Sequence, residues 1–111
     1  MEKTDRDVTL AEVKSWVEKF CSARNWDPYH GAKDLAIGLV TEASELLELF
    51  RFVPEKDLAL LLENPEMRVK IADELADSIY FILRFSQLYN FDLSKALREK
   101  LIKNEMRYPP A

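Results

Sequence analysis

The sequence predicts an all-α protein, a four-helix bundle, on three observations. Glycine is nearly absent, with only Gly31 and Gly38 in 111 residues. Apolar residues recur at helical spacing over long runs, with no sustained period of two. Helix-start and helix-stop signals divide those runs into a few segments. With 48% hydrophobic and 32% charged residues, the composition is that of a soluble globular chain. A chain of this length holds one core, so residues 1–111 are read as a single domain.

The elements follow in order. Thr9-Leu-Ala-Glu12 has the capping-box form. Leu10, Val13, Trp16, Val17 and Phe20 follow at helical spacing, predicting a first helix from about Leu10 to Arg24. Cys21, the one cysteine, has no partner for a disulfide and reads as a small buried apolar residue in this helix. In Asn25-Trp-Asp-Pro-Tyr-His-Gly31, Pro28 discourages helix at Asp27 and Gly31 closes the loop. It gathers Trp26, Tyr29 and His30, either as a platform for a flat ligand such as a base or as a plug for the bundle end.

A second helix is expected from about Ala32 to Phe52, stopping before Pro54, and a short piece over Glu55 to Glu63. Asn64-Pro65 supplies an N-cap and a first-turn proline for a long helix reaching about Tyr89. That helix is apolar almost all round, with a narrow polar strip of Asp73, Tyr80, Arg84 and Gln87. So much apolar surface implies a neighbouring subunit, hence a homo-oligomer. After Asn90-Phe-Asp92 a last helix runs to about Met106, with Leu93, Ala96, Leu97 and Leu101 expected to face inward. Lys95, Arg98, Lys100, Lys103 and Arg107 make it the most basic part of the chain.

Two acidic pairs stand out: Glu42-Ala-Ser-Glu45 and, 28 residues on, Glu74-Leu-Ala-Asp77. Three residues make one helical turn, so each pair shares a side. Glu42 falls within the stripe of Leu35, Leu39, Leu46, Leu49 and Phe50, and Glu74 and Asp77 share a face with Phe81, Phe85 and Leu88. Carboxylates on core-facing stripes are unfavourable without partners, by several kcal/mol at roughly full burial. Four of them aimed at one point predict a site for a hard cation, Mg²⁺, Mn²⁺ or Ca²⁺.

Other chemistries find no support. Lys plus Arg number 16 and Asp plus Glu 20, a net charge of −4, and no basic run offers a footprint for duplex nucleic acid. No P-loop is present, and the single His30 lies outside both acidic helices, where di-iron bundles need Glu-x-x-His. Ser44, Ser78 and Ser86 have no nearby histidine for a hydrolytic triad. The charged start of the chain lacks a signal-peptide core and no run is long enough to span a membrane, so a cytoplasmic protein is expected. Clustered acids with Mg²⁺ suit hydrolysis of a phosphoanhydride bond, with Glu45 or Glu42 as the catalytic carboxylate. The rival is a helical metal-binding interaction module without catalysis.

These residues resemble the all-α nucleoside triphosphate pyrophosphohydrolases of the MazG-like kind, whose hallmark is E-x-x-E followed at a distance by E-x-x-D. The likeness narrows to the dCTP pyrophosphatase subgroup in Arg24-Asn-Trp-Asp-Pro-Tyr-His30, Leu39 to Phe50, and Lys100-Leu-Ile-Lys-Asn-Glu-Met-Arg-Tyr-Pro109. The resemblance implies a dimer or dimer of dimers that cleaves a (d)NTP to monophosphate and pyrophosphate with Mg²⁺, a house-cleaning hydrolase. It implies that Glu42, Glu45, Glu74 and Asp77 hold metal, and that Trp26 and His30 contact base or sugar. Lys33, Lys100 and Asn104 would hold the nucleotide, with Arg107 and Tyr108 at the phosphate end. Two positions depart from it. Phe52 offers a smaller stacking face where relatives often have Trp, and Phe81 lacks the hydroxyl of their Tyr. Base and sugar preference are therefore left open.

Overall fold

The computed structural model describes residues 2–111. It is all-helical, with no strand among the described residues. The helices are α1 (Leu10–Ala23), α2 (Ala32–Glu48), the short α3 (Leu58–Glu63), α4 (Pro65–Tyr89) and α5 (Leu93–Arg107). Single 3₁₀ turns occupy Asp27–Tyr29 and Glu55–Asp57. No described helix is long and apolar enough to cross a membrane.

The caps are those written in the sequence. Thr9 accepts from the Glu12 N–H at 3.1 Å, although the Glu12 carboxylate turns to Lys3 at 2.8 Å rather than closing the box. Asn64 accepts from the Met67 N–H at 3.1 Å with Pro65 at the first helical position, and Asp92 caps α5 through the Lys95 N–H at 2.9 Å. Asn90 ends α4 in the left-handed region at φ 59°, a conformation asparagine tolerates better than most residues. The second helix ends at Glu48, earlier than the expected Phe52. Pro54 biases Val53 toward extended backbone, and the chain leaves the helix through tight turns, Phe50 N–H to Leu47 O at 2.9 Å and Val53 N–H to Phe50 O at 3.0 Å.

α4 is the central helix, packed along α2 on one side and α1 on another. α2 and α4 run antiparallel, since Gly38 meets Phe81 while Glu42 lies beside Glu74. A Cβ on Gly38 would overlap the edge of the Phe81 ring, so the missing side chain lets the two helices close on each other. Leu35, Leu83 and Cys21 are the fully buried apolar residues, and Cys21 Sγ also lies 3.1 Å from the Tyr80 hydroxyl.

The narrow polar strip of α4 lies largely inside: Asp73 is exposed, but Arg84 is 0% exposed and bonds to the Trp26–His30 loop. One expectation is corrected, since α5 does not face inward. Leu97 and Leu101 are 60% and 57% exposed, with Ile102 and Met106 also open. α5 packs extensively on no other helix; Leu93 and Ala96 in its first turns line an apolar hollow with Leu35, Leu39 and Phe85. The radius of gyration is 16.8 Å, against about 13 Å for a compact domain of this length. One chain by itself does not complete the bundle.

Candidate metal centre

α2 and α4 bring the acidic pairs together at mid-helix. Glu42 and Glu45 from α2 and Glu74 from α4 each offer a carboxylate oxygen, all within 4.8 Å of one another. Asp77 is exposed and stands outside this triad, yet its charge acts on both Glu42 and Glu74. No lysine or arginine pairs with any of the four among the described residues. Glu42 Oε2 and Glu74 Oε2 are shielded from solvent and have no hydrogen-bond partner. Partnerless carboxylate oxygens are unfavourable in such a place unless a cation or proton meets them.

Protonation responds accordingly. Removal from water pushes the Glu42 carboxyl up from its ordinary value of 4.5 to about 7, helped by a hydrogen bond with Glu45 and by the charges of Glu45, Asp77 and Glu74. Glu74 is also raised, first by desolvation and then by Glu45. A divalent ion reverses both causes, supplying charge and coordination together. The donor set, all oxygen and all anionic, fits Mg²⁺ or Mn²⁺.

The aromatic loop lies at the other end of α2. His30 precedes Glu42 by twelve residues, ~18 Å along a helix at 1.5 Å per residue. Trp26, Tyr29 and His30 line an open hollow of about 400 Å³. Trp26 meets Phe20 edge-on at 5.6 Å and His30 at 5.9 Å. Beneath them Arg84 Nε donates to His30 Nδ1 at 2.9 Å, Nη1 to Gln87 Oε1 at 2.6 Å, and Nη2 to Asp27. The loop is thus open above and bolted to Arg84 below.

The remaining positions are dispersed. Lys33 is exposed in the first turn of α2. Phe52 is 80% exposed beyond α2, with the Arg51 guanidinium 4.9 Å from its ring centre. Phe81 lies against Gly38, meets Tyr80 edge-on at 5.1 Å and lines the apolar hollow with Leu35 and Phe85. Lys100, Arg107 and Tyr108 are exposed on α5 and its cap, and Asn104 is half-buried. Among the described residues these four make no hydrogen bond or ion pair to another helix. Sequence reading missed Arg84, Asp27 and Gly38. The available signal for Arg84 was the one charged residue in the apolar stretch of α4 after Asp77, with a loop elsewhere carrying an aspartate and the only histidine.

The fold and the acidic cluster define an all-α protein with a candidate divalent-metal centre between antiparallel helices. No protein-family model matches the chain. Over 101 residues it is 29% identical to dCTP pyrophosphatase 1 of Bos taurus and 28% identical to that of Homo sapiens, each covering 91% of this chain. It spans about three fifths of the length of these curated relatives, 60% and 59%. Its fold matches the crystal structure of a pyrophosphatase from Archaeoglobus fulgidus, with a TM-score of 0.83, 26% identity, and coverage of 99% of this chain and 98% of that one. The likeness to dCTP pyrophosphatases read in the sequence is borne out, and the chain shares its fold with a pyrophosphatase.

Proposed function

We propose that this chain is a divalent-metal-dependent nucleoside triphosphate pyrophosphohydrolase. It cleaves a (d)NTP, with dCTP the first candidate, to the monophosphate and pyrophosphate, and so clears unwanted nucleotides from the cytoplasmic pool. The observation that carries this is the Glu42–Glu45–Glu74 cluster with two shielded, partnerless carboxylate oxygens. Support comes from the relatives' name, dCTP pyrophosphatase 1, and from the structural neighbour, a pyrophosphatase.

Glu42, Glu45, Glu74 and Asp77 hold the metal. Bound Mg²⁺ or Mn²⁺ supplies Lewis acidity toward phosphoryl oxygens and makes water a better nucleophile at neutral pH. A carboxylate oxygen left free by coordination accepts the proton of the attacking water. Glu45, exposed at the edge of the cluster, and Glu42, whose proton affinity is raised, are the two catalytic candidates. Trp26 and His30 receive the base or sugar, and Lys33 at the start of α2 lies between that loop and the acids. Phe52 adds an exposed aromatic face, and Phe81 shapes the helix seam beneath the cluster.

Lys100, Asn104, Arg107 and Tyr108 meet the nucleotide's phosphates, offsetting negative charge on the leaving pyrophosphate. Nothing in the chain ties them to the acidic cluster, while α5 exposes a row of large apolar side chains. We therefore place α5 against a second copy in a homo-oligomer, a dimer or dimer of dimers. No duplex nucleic acid and no membrane enters this reading.

The test is pyrophosphate release from a panel of ribo- and deoxynucleoside triphosphates, with Mg²⁺ and with EDTA. Metal-dependent release with an equal yield of monophosphate is expected. No release from any substrate by folded protein would refute the hydrolase and leave the metal-binding module.

A further inference from the structure

His30 is the only histidine, and its neighbours decide which ring nitrogen carries the proton. Arginine can donate but never accept. Arg84 Nε lies 2.9 Å from His30 Nδ1, so Nδ1 must present its lone pair. A neutral ring then keeps its proton on Nε2, whereas an imidazolium would set N–H against N–H. Turning the ring over would place a carbon opposite Arg84 and leave a buried donor unmet.

The guanidinium is itself held on three sides. Arg84 is fully buried, with Gln87 accepting from Nη1 at 2.6 Å and Asp27 from Nη2. The Tyr89 hydroxyl donates to the His30 carbonyl at 3.3 Å, fixing the backbone at the same residue. With Nδ1 occupied, Nε2–H is the polar ring atom left for a ligand. It belongs to a residue that lines the aromatic hollow with Trp26 and Tyr29.

We propose that Arg84 is a positioning residue for recognition. It locks His30 as the Nε2–H tautomer, so that the aromatic hollow offers one fixed donor to an acceptor oxygen on a flat ring, such as a base carbonyl. The ligand class rests on the nucleotide reading above; the lock rests on the hydrogen bonds alone. Burial and the Arg84 charge push His30 below its ordinary 6.5, against the opposing pull of Asp27 in the loop and Asp34 on α2. Nδ1 therefore stays bare, and bonded to Arg84, to lower pH than in a free histidine.

Because the chain has one histidine, long-range ¹H–¹⁵N correlation spectra of the ring report on His30 alone. In the wild type a single neutral species is expected at pH 8, with the proton on Nε2 and Nδ1 bare. Arg84→Met should give mixed tautomers and titration near the ordinary pH. Arg84→Lys should not restore the lock, since an ammonium cannot hold three acceptors in a plane. With dCTP as probe, Arg84→Met should raise KM about tenfold, the effect of one misplaced hydrogen bond, and change kcat much less. A wild-type spectrum showing the proton on Nδ1 at pH 8 would overturn the lock without any variant, even should Arg84→Met fail to fold. An unchanged KM in a folded Arg84→Met with mixed tautomers would overturn the role in recognition. The spectrum can be read whether or not the protein hydrolyses anything, so failure of the lock and failure of the hydrolase reading are separable.

Discussion

Glu42→Gln is expected to make the metal-free protein more stable while destroying its response to metal. Glu42 in the fold holds its proton up to about pH 7, while an unfolded chain releases it near 4.5. Between those values the folded state binds the extra proton, so stability falls as pH rises through the window and the loss is complete above about 7. The full displacement corresponds to roughly 3 kcal/mol at about 1.4 kcal/mol per unit. Glu45 is exposed and Glu42 only part-buried, so water screens the repulsion and about 1 kcal/mol is the reasonable share. The substituted amide carries no charge and keeps a donor for Glu45. In EDTA at pH 8 the variant should melt about 4 °C higher than wild type, and the difference should vanish at pH 5, where Glu42 is protonated. Millimolar Mg²⁺ should reverse the order, raising wild-type stability by about 2 to 3 kcal/mol if present at ~100 times its dissociation constant. Scanning calorimetry at the two pH values, with and without Mg²⁺, reads all four numbers. A variant less stable than wild type in EDTA at pH 8, or one that keeps the full Mg²⁺ shift, would refute the reasoning.

Three further outcomes are expected. Gly38→Ala must displace the Phe81 ring by about 1 Å, an overpacking penalty of about 1 to 3 kcal/mol against ~1 kcal/mol of helix propensity gained; a urea midpoint equal to or above wild type would contradict the close α2–α4 approach. Asp77→Asn should abolish pyrophosphate release with the circular dichroism of a folded helical protein, and a variant with normal Mg²⁺-dependent turnover would remove Asp77 from the site. Leu101→Glu should leave helicity intact but lower the sedimenting mass, since its side chain is largely exposed in one chain; an unchanged oligomer would show that α5 is not the covering surface.

The helices and most of their starts were legible because their causes are local, although α2 ends at Glu48, short of the expected Phe52. Thr9 and Asn64 cap the N–H groups of the turns that follow them, and Asn90 and Asp92 make the turn between α4 and α5. The acidic pairs were legible for the same reason, as a three-residue spacing puts two carboxylates on one helical side whatever the helix packs against. Their meeting across α2 and α4 follows from an antiparallel hairpin, which the intervening chain length allows.

The tertiary structure alone decided three things. Periodicity records that a face is apolar or polar but not what lies opposite, so the polar strip gave no sign that Arg84 faces the loop and Tyr80 faces α1. Whether the apolar side of α5 turns inward depends on the Asn90–Asp92 turn, which directs the helix away from its own core. Gly38 in mid-helix carries no local signal, and only the Phe81 ring across the seam shows why a side chain there would not fit. Spacing along one chain determined which residues share a helix face; packing between helices determined which of those faces meet one another and which stay exposed.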